Sequence, residues 1–139
     1  MSDHTIAAIT DDVRTWYDRY LDTFTRLAAN EFTDVEVLLA YFGVPLVIIT
    51  TDRYLALPTR EAVLTTAQTL IDQLRHANYA SSTVHRLDFH PLNARAALVD
   101  GNFSRYDREG NELERFGTTY LVANTGDGWR FTSIVFTTP

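Results

Sequence analysis

The sequence contains neither cysteine nor lysine. The first absence removes disulfides, thiolate metal ligands and thiol nucleophiles together. The second removes Schiff-base chemistry, a pyridoxal-phosphate aldimine and a phosphate loop ending in Gly-Lys-Ser/Thr. All twelve cationic side chains are therefore arginine, against 18 acidic ones, and the net charge is −6. Phosphate neutralisation needs a clustered basic face. The densest arginine stretch, Arg105, Arg108 and Arg115, is instead interleaved with Asp107, Glu109, Glu112 and Glu114. It reads as a solvated hairpin, and no nucleic-acid partner is expected. Long apolar runs are also missing: residues 44–49 fall far short of the roughly 20 residues of a membrane helix. Met1-Ser2-Asp3-His4-Thr5 shows no cationic region ahead of an apolar core. No membrane partner is expected, and a cytoplasmic location is.

What is present is an ordinary globular composition. The 139 residues, 45% hydrophobic, suit one domain. Three helices are predicted. The first covers residues 11–29, with Thr10 as N-cap and Asp11 and Asp12 in its first turn. Val13, Trp16, Tyr17, Tyr20, Phe24, Leu27 and Ala28 recur at helical spacing. The second covers residues 34–42, opened by the capping box Thr33-Asp34-Val35-Glu36, with Phe32 and Val37 as a hydrophobic staple and Gly43 as stop. The third covers residues 60–77, where Arg75 and His76 suit the negative helix end.

The rest alternates as strands: residues 46–50, 54–57, 82–89, 94–106, 112–123 and 129–137, separated by short breaks bearing glycine, asparagine or proline. Asp100-Gly101 reads either as a bulge or as a two-residue turn, with the bulge preferred. Helices first and strands last predict an α+β fold with an antiparallel sheet. The expected organisation is a flexible tail, residues 1–9, followed by a single domain, residues 10–139.

Three segments carry a family resemblance. Leu57-Pro58-Thr59-Arg60-Glu61-Ala62-Val63 opens the third helix, Arg105-Tyr106-Asp107-Arg108-Glu109-Gly110 forms a hairpin, and Gly128-Trp129-Arg130-Phe131 opens the last strand. In this order they resemble the nuclear transport factor 2-like superfamily, and within it the SnoaL-like and ketosteroid-isomerase-like branch. The resemblance implies a cystatin-like cone: a curved mixed or antiparallel sheet wrapped around three helices, with a mostly apolar pocket. It implies a dimer formed through the outer sheet face. It also implies either a cofactor-free isomerase, cyclase or dehydratase, or a silent binding or assembly module. Tyr20 falls where ketosteroid isomerases place an oxyanion-hole tyrosine. Their catalytic aspartate aligns with Thr50, two residues before Asp52, and their second acid falls near Thr119 or Tyr120.

Acid–base work in such a pocket relies on ionisable groups in apolar surroundings. Asp52 is a candidate base at the pocket mouth, or else a solvated strand end beside Arg53. Asp100 is a candidate carboxylate inside an apolar strand, or else an exposed turn residue. His85 alternates with Leu87 and Phe89 and suits a proton shuttle, or else is a satisfied half-buried histidine. Tyr20, and Tyr17 beside it, are candidates to donate to a ligand carbonyl, or else pack with hydroxyls satisfied locally; Trp16, Tyr17, Phe24 and Tyr120 are expected to line the ligand site. His85 and His90 fall on opposite strand faces, His4 lies in the tail and His76 ends a helix, so no metal site is expected. The expected partners are a hydrophobic, oxygenated small molecule and a second copy of the chain. The last strand supports the second copy, since Phe131, Ile134 and Phe136 put apolar side chains on both faces.

Overall fold

The computed structural model describes residues 2–138, the side chain of His4 excepted. Its elements are α1 (Asp3–Ala28), a 3-10 helix (Val35–Ala40), β1 (Phe42–Ile49), β2 (Tyr54–Leu57), α2 (Arg60–His76), β3 (Tyr79–Asn93), β4 (Ala96–Asp107), β5 (Glu112–Asn124) and β6 (Trp129–Thr137). The strands form one curved, open, six-stranded sheet in the order β2-β1-β6-β5-β4-β3. Only the β1–β6 pairing is parallel, and it closes the meander β3 to β6 onto the small β1–β2 hairpin.

Helix α1 starts eight residues earlier than its sequence signal, so from Asp3 on the expected tail is helical. Ser2 is the cap, its hydroxyl accepting from Thr5 N at 3.2 Å. Thr10 instead donates back to Ile6 O at 2.9 Å inside the helix. Ile9 extends the apolar stripe one turn toward the N-terminus and is buried with it. The second helix is a short 3-10 segment capped by Asp34, not Thr33, and Val37 is exposed where a staple would bury it. Gly43 is a strand residue. A Cβ there would lie 2.8 Å from the Phe131 carbonyl oxygen, so its role is a close backbone approach between β1 and β6. Helix α2 follows its prediction, with Thr59 accepting from Ala62 N at 3.1 Å.

Arg75 does more than complement its own helix. Its Nε and Nη2 donate to Leu27 O at 3.3 and 3.1 Å, and Nη2 also donates to Phe32 O at 3.0 Å. One carbonyl at the end of α1, Leu27 O, which also accepts from Asn30 N at 3.1 Å, and one in the loop beyond it, Phe32 O, thus accept from a side chain of α2. The two helices are thereby fixed to one another on the inner side of the sheet.

Strand β4 runs unbroken through Asp100-Gly101, which is neither a turn nor a bulge: Asp100 pairs with Thr119 and Gly101 with Thr118 in regular register. The bulge lies across the ladder in β3, where Val84 pairs with Phe103 and Arg86 with Asn102, leaving His85 extra. Pro91 is tolerated in β3 because this is an edge strand. One of the sheet's other irregularities sits between β5 and β6: Leu121 pairs with Ser133 but Val122 with Phe131. It turns Phe131 onto the same face as Ile134, whose partner Tyr120 faces the core. The apolar signal on both faces of the last strand therefore comes from a shifted register.

The core is strongly aromatic. Phe131, fully buried, lies with its ring centroid 4.7 Å from those of Trp16 and Tyr20 and 4.6 Å from that of Tyr120. Val99, Tyr120 and Ile134 form one cross-strand row beneath α1, and Ala97, Val122 and Phe131 form the next.

Candidate functional site

Between α2, the β1–β2 hairpin and the inner faces of β5 and β6 lies a cavity of about 540 Å³. This is the size range of small-molecule sites. Its walls are Phe24, Phe42, Leu46, Ile48, Leu55, Leu57, Val63, Leu70, Ile134 and Phe136, with Phe116 at one end. The alternation of each strand supplies these side chains, and the stripe of α2 supplies the opposite wall. The polar part of the lining includes Arg53, Thr65 and Gln73. Thr66 and Thr69 donate their hydroxyl protons to the helix carbonyls of Ala62 and Thr65, and Thr50 accepts from Arg53 N at 3.0 Å to close the β1–β2 turn.

The remaining polar groups of note are Tyr20, Tyr120 and Arg105. Burial pushes the Tyr20 phenol well above its usual pKa, helped by the neighbouring Tyr120 and opposed by the Arg105 charge. Burial likewise raises Tyr120, while its hydrogen bond from Tyr17 and the Arg105 charge oppose the rise. Both phenols therefore stay protonated and can donate. Tyr120 accepts from Tyr17 at 3.3 Å, which orients its own proton elsewhere. The Tyr20 hydroxyl makes no hydrogen bond among the described residues.

Arg105 is the residue that its surroundings in the sequence disguised. Only 10% of its side chain is exposed. Its guanidinium lies 4.4 Å from the Phe116 ring and 5.5 Å from Phe24, and Nη1 donates to Glu114 Oε1 of the adjacent strand. Six lining residues, Thr50, Leu70, Gln73, Arg105, Phe116 and Phe136, also border an adjoining hollow of about 440 Å³ where Leu113 and Glu114 come in. The Arg105–Glu114 pair thus stands where the cavity meets its mouth.

Of the residues expected to act together, the cavity gathers Tyr20, Phe24 and Tyr120. Tyr17 is fully buried behind Tyr120, and Trp16 packs on Phe131 and Tyr41 with its indole N–H unpartnered, outside the cavity. Asp52 is exposed at the tip of the β1–β2 turn. Asp100 faces away from the core, where Arg86 Nη1 and Thr119 Oγ1 donate to it at 3.0 Å each. The Arg86 hydrogen bond holds its carboxyl below the usual value, against a smaller opposing effect of desolvation. His85, displaced by its bulge from the face of Leu87 and Phe89, is exposed. Its Nε2 lies 2.8 Å from Ser104 Oγ, which donates to Glu112 at 2.8 Å. Among the described residues no carboxylate or histidine lines the main cavity, and no three His, Asp or Glu side chains gather as a metal ion would require. No helix is long and apolar enough to cross a membrane.

No curated protein matches the sequence. Solved structures do. An NTF2-like protein of unknown function from Shewanella oneidensis is 17% identical with a TM-score of 0.65, over 91% of this chain and 97% of that one. A cystatin-like domain of unknown function from Nostoc punctiforme is 17% identical with a TM-score of 0.63, over 100% and 80%. A protein from Streptomyces avermitilis, inferred to be a dehydratase of the NTF2-like family, is 16% identical with a TM-score of 0.69, over 96% and 97%. At such identities the likeness establishes the fold and leaves the reaction open. The sequence itself matches the family described as NTF2-like protein (DUF6841) over residues 11–139. With the curved sheet, the two packed helices and this match together, the chain belongs to that NTF2-like family.

Proposed function

We propose that the protein binds a hydrophobic small molecule bearing an oxygen acceptor, and that it does so without transforming it. One observation carries this reading: the cavity presents the hydrogen-bond donors of Tyr20 and Arg105 in an apolar, aromatic enclosure, with no base among the described lining residues. Donors polarise or hold a carbonyl, but isomerisation, cyclisation or dehydration also needs a group that removes a proton. Thr50, at the position aligned with the isomerase aspartate, lines the cavity with its hydroxyl tied to the β1–β2 turn. The dehydration named for the Streptomyces relative is a reaction of that protein, and it would require a base that the described lining residues do not supply.

The test uses acetonaphthone, a neutral aromatic ketone. Saturable binding that Tyr20→Phe weakens by about tenfold, at an unchanged unfolding midpoint, supports the reading. Exchange of the ketone's α-protons with solvent deuterium, followed by NMR, should run no faster than in buffer. Accelerated exchange would place a working base in the cavity and return the protein to the isomerase class.

A homodimer through the outer sheet face belongs to the same proposal. Its support is the half-buried apolar set Leu98, Leu121 and Val135, on the side of β4, β5 and β6 opposite the core. Sedimentation at micromolar concentration checks it, and a monomer mass rejects it.

A further inference from the structure

We infer that the cavity selects apolar molecules carrying a single carboxylate, and that this carboxylate takes the place on Arg105 that Glu114 now holds. The inference rests on the reading of the cavity as a ligand site. Arg105 and Glu114 are cross-strand neighbours on β4 and β5, yet their surroundings differ sharply. The arginine side chain is 10% exposed and the glutamate 47%. A guanidinium carries several N–H donors in a rigid plane suited to a two-point grip on a carboxylate. The Arg105 guanidinium donates only one hydrogen bond among the described residues, Nη1 to Glu114 Oε1. Stacking on Phe116 at 4.4 Å covers a face of the guanidinium, and its N–H groups point outward from the edge of that plane. The guanidinium N–H groups that Glu114 does not take have no protein partner among the described residues and are not sealed from solvent, so they are free to grip an entering carboxylate.

An entering carboxylate gains the paired geometry in a drier place. Glu114, released, turns into the water of the mouth that it already borders, at little desolvation cost. Tyr20 lines the same space and supplies a neutral donor. The charge balance favours a monoanion over a phosphate: the other lining arginine, Arg53, is exposed, and the molecule as a whole carries −6. The aromatic and aliphatic walls then select the body of the ligand.

Calorimetric titration of naphthylacetate against naphthylacetamide, its neutral isostere of the same shape, tests the assignment. The acid should bind about tenfold tighter or more, equivalent to about 1.4 kcal/mol. Glu114→Gln, which removes the competing carboxylate at a half-exposed position, should tighten the acid further, and by more than it tightens the amide. Arg105→Gln should abolish the preference. Equal affinities for acid and amide overturn the carboxylate assignment and leave the cavity reading standing, as does a Glu114→Gln variant that binds the acid more weakly. If neither compound binds the folded protein, both readings fall.

Discussion

Tyr17, Tyr20 and Tyr120 crowd around one phenylalanine ring, but their hydroxyls serve different ends. Tyr17 donates to Tyr120 in a fully protein-enclosed setting, whereas Tyr20 lines the cavity with no protein hydrogen bond among the described residues. Tyr17→Phe should therefore cost about 1 kcal/mol in urea unfolding, the usual worth of a buried hydrogen bond, and leave acetonaphthone affinity unchanged. Tyr20→Phe should show the converse, a stability change of only a few tenths of a kcal/mol with the loss of binding. A Tyr20→Phe variant as destabilised as Tyr17→Phe would mean that the Tyr20 hydroxyl has a structural partner. Arg105 was legible in principle. Residues 97, 99 and 103 alternate as core positions on β4, and the same step of two lands on 105. The acidic residues around it suggested a solvated hairpin, and Glu109, Glu112 and Glu114 are exposed, as are Arg108 and Arg115, but Arg105 is buried. Asp52 and Asp100 looked functional because carboxylates beside apolar runs are costly when buried. Both escape that cost by reaching water, and Asp100 adds an arginine partner.

The start of α2 and the turn chemistry of the β4–β5 hairpin were readable because each has a local cause. Thr59 caps α2, and Asp107 accepts from the backbone N–H of Glu109 and Asn111 at 2.9 Å each to shape the β4–β5 hairpin. Register was not readable, because it is set between strands. The bulge at His85 and the shift between β5 and β6 each reverse the face expected from simple alternation, and so His85 left the pocket and Phe131 entered the core. The start of α1 was misread for another reason: Thr10-Asp11-Asp12 imitates a cap in mid-helix.

Two predictions belong to these elements. Arg75→Met keeps the apolar stem but removes the donors to Leu27 O and Phe32 O, and should cost about 1–3 kcal/mol in chemical denaturation. A change below 0.5 kcal/mol, within the range of ordinary surface substitutions, would show that water satisfies those carbonyls equally well. Gly43→Ala sets a methyl against a backbone oxygen that cannot move without disturbing the β1–β6 pairing. It should cost about 1–3 kcal/mol as well.

At the scale of the whole molecule, charge and burial together define a stability window. The buried phenols of Tyr17, Tyr20 and Tyr120 are all raised, chiefly by desolvation. Their ionisation is thus easier in the unfolded chain, so the stability they support is complete below pH about 10 and falls as pH rises beyond it. Asp100, held down chiefly by Arg86, and Asp107, held down chiefly by the Asn111 backbone N–H, shift the other way. Their contribution is present above the usual carboxylate pKa of about 4 and is lost as pH falls below it. The melting temperature should form a plateau through neutral pH with a fall on each side. A plateau that continued unchanged well above pH 10 would contradict the burial of the phenols.

Both proposed binding modes require that a ligand enter the cavity and meet Tyr20 there. Fluorine NMR of the protein carrying fluorotyrosine at its 7 tyrosines reads this directly during titration with acetonaphthone. Saturable shifts at Tyr20 and Tyr120, with Tyr54 unmoved at its 70% exposed position on β2, are the predicted result. Shifts confined to Tyr54, or none at Tyr20 with the ligand in excess, would contradict it.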